Sequence, residues 1–253
     1  MHPRRSQPPA RRPSLRRACQ TEPVDDNRVE SGPQTHASDR FREAAVAWAA
    51  GGPAADAARR TATGLARTHG PRTVVLVEGV SDRAALEALA VRRGRDLDAE
   101  AVCVLPMGGA TGVGRFLALL GPRGLDLRLC GLCDAAETGY FRRALERAGL
   151  GSPETYGELE RLGFHVCDAD LEDELIRALG REGVEEVAAE QGDLRSLRTF
   201  RNQPAQRPRT AHQQLRRFIG TTAGRKESYA RAMVDALDLD RAPHPLDALL
   251  AHV

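Results

Sequence analysis

The sequence predicts an α/β protein in which helices flank a parallel sheet and a helical segment follows. Strands and helices alternate strictly over about residues 72–180, which indicates parallel strands joined by right-handed crossovers. Three of the predicted strands end in carboxylates, and no strand pattern follows residue 181. The predicted strands are 74–77, 101–105, 125–133 and 163–167, and the helices that follow them are 82–92, 112–120, 139–149 and 171–179.

The chain before the first strand divides into two parts. Residues 1–40 are rich in Arg, Pro, Ser and Gln, carry a basic run from Arg4 to Arg17, and are expected to form a disordered tail. Residues 41–70 are expected to form two helices, Phe41–Ala50 and Ala54–His69, separated by Gly51-Gly52-Pro53.

The remaining domain boundaries follow from these patterns. Residues 71–180 form the α/β core, and residues 181–253 form the helical C-terminal extension. Within that extension the sequence predicts helices at 183–191, 194–202, 210–219, 225–237 and 245–251.

Composition excludes several classes of protein. No apolar run approaches the roughly 20 residues that cross a bilayer, and the N-terminus has no signal-peptide h-region. We therefore expect a soluble cytoplasmic protein without a membrane partner. The five cysteines are an odd number and fall mostly on predicted strands, so we expect buried thiols rather than disulfides or a zinc site at Cys130-Gly-Leu-Cys133.

Acidic residues stand at the carboxyl ends of the predicted strands. Glu78 follows Val77, Asp134 follows Cys133, and Asp170 and Glu172 follow the fourth strand. Because ligands bind at the carboxyl edge of open α/β sheets, these side chains predict a site for a hard divalent cation. We expect Mg²⁺ or Mn²⁺, and two ions would stabilise both the attacking and leaving oxygens of a phosphodiester.

A glycine-rich segment, Gly108-Gly-Ala-Thr-Gly-Val-Gly114, follows the second strand. A phosphate-binding loop of the Walker A type would end in Lys-Ser/Thr, and here Arg115-Phe116 stands in that place. The segment therefore predicts a flexible strand-to-helix turn near the site, whose amides remain available to a substrate phosphate.

The helical extension contains a basic window without acids. No Asp or Glu occurs from Leu194 to Lys226, and this pattern favours a track for a nucleic-acid backbone over a merely solvated helix face. The candidate DNA-binding residues are Arg195, Arg198, Arg201, Arg216, Arg217 and Arg225.

Lys226 ends that window and is the single lysine beside 36 arginines. A lysine is a compact point charge that can donate a proton, whereas arginine stays protonated. The retention of one lysine therefore indicates either chance or a role that a guanidinium cannot fill.

Three motifs together resemble the TOPRIM domain, and in particular that of the overcoming-lysogenisation-defect (OLD) nucleases. They are Leu76-Val-Glu-Gly-Val-Ser-Asp82, Cys133-Asp-Ala-Ala-Glu-Thr-Gly139 and Asp170-Leu-Glu-Asp-Glu-Leu-Ile176, and Lys226 completes the pattern. The resemblance spans about residues 72–237 and implies a Rossmann-like TOPRIM sheet, a two-metal site and nicking or cleavage of DNA.

The resemblance also implies a role for each matching residue. It implies that Glu78, Asp82, Asp134, Asp170 and Glu172 bind metal, that Glu78 also takes part in acid–base chemistry, and that Lys226 stabilises the transition state. The family usually has a second Asp where this chain has Ala136, and Glu137 is the candidate replacement metal ligand.

The OLD enzymes also carry an N-terminal ATPase, and this chain has no Walker A motif. We therefore expect a freestanding TOPRIM protein or one that works with a separate ATPase, and the resemblance makes a homodimer plausible. Two alternatives remain: a catalytically degenerate DNA-binding or regulatory module, and a phosphoacceptor receiver domain. The receiver is disfavoured because its lysine ends a strand, whereas Lys226 precedes a helical pattern.

Overall fold

The computed structural model describes residues 33–68, 70–222 and 224–253. Four parallel strands form one sheet: β1 (Thr73–Val77), β2 (Val102–Pro106), β3 (Arg128–Asp134) and β4 (Phe164–Cys167). Their order across the sheet is β2-β1-β3-β4. The fold class predicted from the sequence is confirmed.

Helices pack on both faces of the sheet. They are α1 (Pro33–Ala50), α2 (Ala55–Thr68), α3 (Val80–Arg92), α4 (Val113–Leu120), α5 (Thr138–Ala148), α6 (Tyr156–Arg161), α7 (Leu171–Glu190), α8 (Leu194–Arg201), α9 (Ala211–Ile219), α10 (Arg225–Ala236) and α11 (His244–His252). None of the helices in these ranges is long and apolar enough to cross a membrane.

The sheet divides the core into two layers because successive strand residues point to opposite faces. Val75 and Val77 of β1 face α3, α7, α10 and α11. Val74 and Leu76 face α1, α4 and α5. All four side chains are fully buried, so β1 is a central strand that fixes the position of whatever follows it.

The order of the strands determines where the site lies. The chain passes from β1 to β2 on one side and then returns across β1 to β3 on the other. The direction of winding therefore reverses between β1 and β3, and the crevice at such a switch point is where ligands bind in open parallel sheets. Glu78 and Asp134 stand at the carboxyl ends of these two strands.

Several helix boundaries differ from the sequence-based expectations. Helix α1 begins at Pro33, eight residues before the predicted Phe41. Residues 1–32 of the predicted tail, including the basic run, lie outside the described residues. Helix α3 begins at Val80, two residues before the predicted start, and the Asp82 carboxylate caps it by accepting from the Gly79 amide at 2.8 Å.

Helix α6 was not predicted, although its capping box is visible in the sequence. The Thr155 side chain accepts from the amide of Glu158, and the Glu158 carboxylate accepts from the amide of Thr155. The helices predicted at 171–179 and 183–191 are joined in α7 across a kink at Gly180, whose φ of 72° is a conformation that glycine adopts readily.

Candidate metal centre

Glu78 is held in place by the glycine-rich segment that follows β2. Its backbone carbonyl accepts hydrogen bonds from the amides of Gly108 at 3.0 Å and Gly109 at 3.2 Å. Both glycines have positive φ, 72° and 121°, and the second lies in a region open almost only to glycine. These two amides are therefore used to position Glu78, which leaves them unavailable to a phosphate.

Asp134 and Glu137 approach Glu78 from β3. Asp134 ends the strand, and a single 3₁₀ turn, Ala135–Glu137, follows it. Oxygen atoms of Glu78, Asp134 and Glu137 all lie within 4.8 Å of one another. The 3₁₀ turn thus brings Glu137 to the cluster although Ala136 stands at the position where the family usually has its second acid.

The cluster has an unfavourable excess of negative charge. Burial, followed by the neighbouring charges of Glu78 and Asp170, raises the pKa of Asp134 to about 8. Burial and then contact with Glu78 raise the pKa of Glu137 to about 7. Oε2 of Glu137 is buried and has no hydrogen-bond partner among the described residues.

These properties fit a divalent cation. Clustered carboxylates remain ionised together only when a cation neutralises them, and Mg²⁺ takes one or two carboxylates while keeping waters for substrate oxygens. The three converging carboxylates offer oxygen ligands to such a cation, and among them Oε2 of Glu137 has no other partner within the described residues. This group is called the acid cluster below.

The other three predicted metal ligands have partners within the protein. Asp82 caps α3, and burial, partly offset by the Gly79 amide, raises its pKa to about 7. Asp170 caps α7 through Oδ1, which accepts from the Asp173 amide at 2.8 Å, and its Oδ2 pairs with Arg216. Oε1 of the buried Glu172 lies 3.2 Å from Lys226 Nζ.

A second group of acids therefore lies beside the acid cluster, and two of its members, Asp170 and Glu172, already pair with a cationic side chain. The charge of Asp170 acts on Asp134, and the charges of Glu172 and Glu78 act on Asp82, so the two groups are neighbours. As the side chains lie, a second cation bound through Asp170 or Glu172 would have to displace Arg216 or Lys226. The prediction of two ions stays a prediction.

Lys226 lies in the first turn of α10 with its side chain half exposed. Burial works against its charge, but the Glu172 carboxylate outweighs this and raises the pKa of Lys226 above its ordinary value. The amine is therefore a fixed cation at neutral pH that faces the acidic site.

A partly buried ion pair fixes the start of α10. Arg225 Nε lies 3.1 Å from Asp193 Oδ2, which also accepts from the Tyr229 hydroxyl at 3.1 Å. The Arg225 guanidinium carbon lies 4.2 Å from the centre of the Phe218 ring. Because Arg225 precedes Lys226, this network sets the position of the lysine.

The six arginines predicted to bind DNA divide into two groups. Arg201 pairs with Glu185 at 2.7 Å, Arg225 pairs with Asp193, and both side chains are largely buried. Arg216 pairs with Asp170. These three arginines are engaged by carboxylates, whereas Arg195, Arg198 and Arg217 are exposed and form no salt bridge within the described residues. The prediction that all six bind DNA stays a prediction.

Two features of the site carry no local sequence signal. Arg216 reaches Asp170 from 46 residues away, and His212 Nε2 lies 2.6 Å from Asp173 Oδ1 across 39 residues. Both contacts arise because α9 packs against the start of α7. Four of the five predicted buried thiols are found, at Cys103, Cys130, Cys133 and Cys167, and Cys19 lies outside the described residues. Cys130 and Cys133 lie in opposite core layers, and burial raises the pKa of each to about 12.

The fold and the acid cluster define a class of protein: a parallel α/β domain with carboxylates converging at its switch point. The family model of the overcoming lysogenization defect protein-like TOPRIM domain matches residues 72–135. The chain therefore carries an OLD-like TOPRIM domain, as the sequence motifs predicted.

Solved structures extend the likeness beyond the matched segment. Two structures of the C-terminal region of the OLD protein of Xanthomonas campestris pv. campestris align at 25% and 26% identity with TM-scores of 0.57 and 0.58. Each alignment covers 72% of this chain, and 94% and 92% of the respective structures.

The C-terminal region of the Burkholderia pseudomallei OLD protein shares the fold. Its TM-score is 0.54 at 22% identity, over 72% of this chain and 96% of that one. No curated protein sequence matches the chain.

Proposed function

We propose that this protein is a metal-dependent nuclease that nicks or cleaves DNA phosphodiesters. The observation that carries the proposal is the convergence of Glu78, Asp134 and Glu137 at the switch point of a TOPRIM sheet. The bound cation, Mg²⁺ or Mn²⁺, would polarise the phosphoryl oxygen and lower the pKa of an attacking water.

The residues of the chain have separate roles in this proposal. Glu78, Asp134 and Glu137 hold the cation, and Glu78 also accepts or donates a proton. Lys226 lies beside the site as a protonated amine. It stabilises the negative charge that grows on the phosphoryl oxygens in the transition state, where a fixed cation requires no reorganisation.

The exposed arginines of the helical extension hold the DNA. Arg195 and Arg198 lie on α8, and Arg217 lies on α9 one residue from the Arg216–Asp170 pair. Each guanidinium that meets a phosphate releases counterions, so affinity should fall steeply with salt. A separate ATPase and a second copy of the chain remain proposed partners.

Plasmid nicking in Mg²⁺ and in Mn²⁺ tests the proposal. Wild type is compared with Glu78→Ala, and Glu190→Ala is the control because Glu190 is an exposed residue at the far end of α7. Metal-dependent nicking that only Glu78→Ala abolishes is the expected result. A wild-type protein that binds both metal and DNA and never cuts would contradict it.

A second function has one observation in its favour. Ala136 removes an acid that the family usually has, and Arg216 and Lys226 neutralise the neighbouring carboxylates. A site reduced to one cation suits a regulatory DNA-binding module that acts with a separate ATPase. DNA binding that requires the cation, without cleavage under any condition, would favour this module over the nuclease.

A further inference from the structure

A groove between α4 and α5 lies outside the acid cluster. Its volume is about 480 Å³, within the range of roughly 300–1,000 Å³ that is typical of small-molecule sites. Thr111 and Tyr140 line one end of the groove, and Arg123 and Ala148 line the other. Tyr140, near the start of α5, follows Glu137 of the acid cluster by three residues.

Three arginines give the groove an uncompensated positive charge. Arg115 donates to the Ala49 carbonyl at 3.1 Å, Arg123 to the Arg147 carbonyl at 2.9 Å, and Arg147 to the Arg143 carbonyl at 3.1 Å. Neither Asp nor Glu lines the groove. Within the described ranges, none of these three guanidiniums forms a salt bridge to a carboxylate. Their remaining N–H donors therefore suit an anion with several oxygens.

The rest of the groove is apolar and aromatic. Its walls include Val113, Leu117 and Ala144, and Gly114 adds no side chain. The Tyr140 side chain is 43% exposed, and the Arg143 guanidinium carbon lies 5.3 Å from its ring centre. Stacking on an exposed aromatic ring is how proteins hold nucleic-acid bases without reading their sequence.

A second cavity shows that arginine content alone does not make such a site. It has a volume of about 540 Å³ and lies between α3 and the edge strand β2. Its Arg42 and Arg83 both pair with Glu87, and Arg42 also pairs with Asp39. Those charges are neutralised internally, whereas the arginines of the groove are not.

We propose that the groove binds a nucleotide unit, with its phosphate on Arg115, Arg123 and Arg147 and its base against Tyr140. The nucleotide has two potential sources, a DNA strand that also reaches the acid cluster or a free nucleotide. The first source rests on the proposed function, and the second does not depend on it.

Binding measurements distinguish the sources. Fluorescence anisotropy with a labelled single-stranded oligodeoxynucleotide is compared with calorimetric titration of deoxyadenosine monophosphate. Both use Ca²⁺ in place of Mg²⁺, and the oligonucleotide is checked on a gel to be intact. The variants are Arg115→Gln with Arg147→Gln, and Tyr140→Leu. Arg161→Gln is the control because Arg161 is 73% exposed on α6 and outside the groove.

If a DNA strand is the ligand, the double arginine variant should bind the oligonucleotide about 10-fold more weakly than wild type does. The slope of log K against the logarithm of the salt concentration should become shallower by about 0.7 for each lost phosphate contact. Tyr140→Leu should weaken binding without changing that slope. If only binding of the mononucleotide is lost, a free nucleotide is the ligand.

The proposal is overturned if wild type binds neither ligand, or if the groove variants bind both as the Arg161→Gln control does. Binding is scored without cleavage, so an inactive plasmid assay leaves the result intact. Conversely, a groove that binds nothing does not contradict cleavage at the acid cluster.

Discussion

At the scale of single residues, Glu137 completes the acid cluster. Ala136 leaves a gap in the usual pair of acids, and the 3₁₀ turn brings Glu137 to within 4.8 Å of Glu78 and Asp134. The buried Oε2 of Glu137 has no other partner among the described residues. The acidic pair is therefore rebuilt with a longer side chain one position later.

Loss of a hydrogen-bond partner of a metal ligand lowers metal affinity roughly 10- to 100-fold. Because Glu137 is proposed as a ligand itself, Glu137→Gln should weaken Mn²⁺ binding by at least this factor. The substitution keeps the shape of the side chain and removes its charge. Calorimetric titration with Mn²⁺ measures the change, and Glu146→Gln on the exposed face of α5 is the control. Equal Mn²⁺ affinity in wild type and Glu137→Gln would show that Glu137 is not a ligand.

Arg216 occupies a carboxylate oxygen that the proposed second cation would need. Its guanidinium occupies Oδ2 of Asp170, whose Oδ1 already caps α7. Arg216→Met keeps the length of the side chain and frees that oxygen, so we expect tighter Mn²⁺ binding or a second bound ion per chain.

The matched control for Arg216→Met is Arg217→Met, one residue further along α9 and exposed. It removes the same charge from the same helix without touching Asp170. An increase in Mn²⁺ stoichiometry or affinity of the same size in both variants would mean that the effect is a general one of net charge.

At the scale of elements, the turn after β2 positions Glu78. Gly109 has φ 121° and donates its amide to the Glu78 carbonyl. A Cβ at Gly109 meets no atom within 4 Å, so Gly109→Ala changes only the backbone preference, at a cost of about 1–3 kcal/mol.

Gly109→Ala should therefore lower both the melting temperature and the Mn²⁺ affinity, because the turn relaxes and Glu78 moves. Gly112→Ala is the control, since Gly112 has φ −74° and a Cβ there makes ordinary contacts at 3.6 Å. If Gly109→Ala melts earlier yet binds Mn²⁺ normally, the turn stabilises the fold without positioning Glu78.

The strands and helices are also where the predictions from the sequence agree best with the structure. Each predicted strand overlaps an observed one because a short run of apolar residues between turn signals is a local property of the chain. Helix α6 was missed because its six residues give too little periodicity, although the Thr155–Glu158 capping box marks its start.

At the scale of the whole molecule, we expect the acid cluster to make stability depend on pH and on metal. The pKa of Asp134 is raised to about 8 by burial and neighbouring carboxylates. In the unfolded chain an aspartate titrates near 3.9. The folded state therefore binds more protons than the unfolded state between about pH 4 and pH 8, and stability falls as pH rises through this range.

Without metal, the unfolding free energy of wild type should fall relative to that of Asp134→Asn as pH rises. The expected slope is about 1.4 kcal/mol per pH unit for each extra proton that the folded state binds. Urea unfolding from pH 5 to pH 8 measures the difference, and adding Mg²⁺ should reverse it for wild type alone. A gap between the two proteins that stays constant with pH would rule out a raised pKa at Asp134.

Sequence by itself determined the alternation of strands and helices, the acids at the strand ends and the TOPRIM motifs. These features are local, since a strand's burial pattern and the residue that follows it are set by neighbours in the chain. It also marked Lys226, which the structure places 3.2 Å from Glu172.

Only the tertiary structure decided which of those acids form the acid cluster and which are neutralised. Asp170 and Arg216 are 46 residues apart, and Arg225 and Asp193 are 32 residues apart. Such pairs depend on how α7, α8, α9 and α10 pack together. A charge pattern in one segment does not specify the distant segment that will neutralise it. For this reason some arginines of the basic window form ion pairs in the structure and others are exposed.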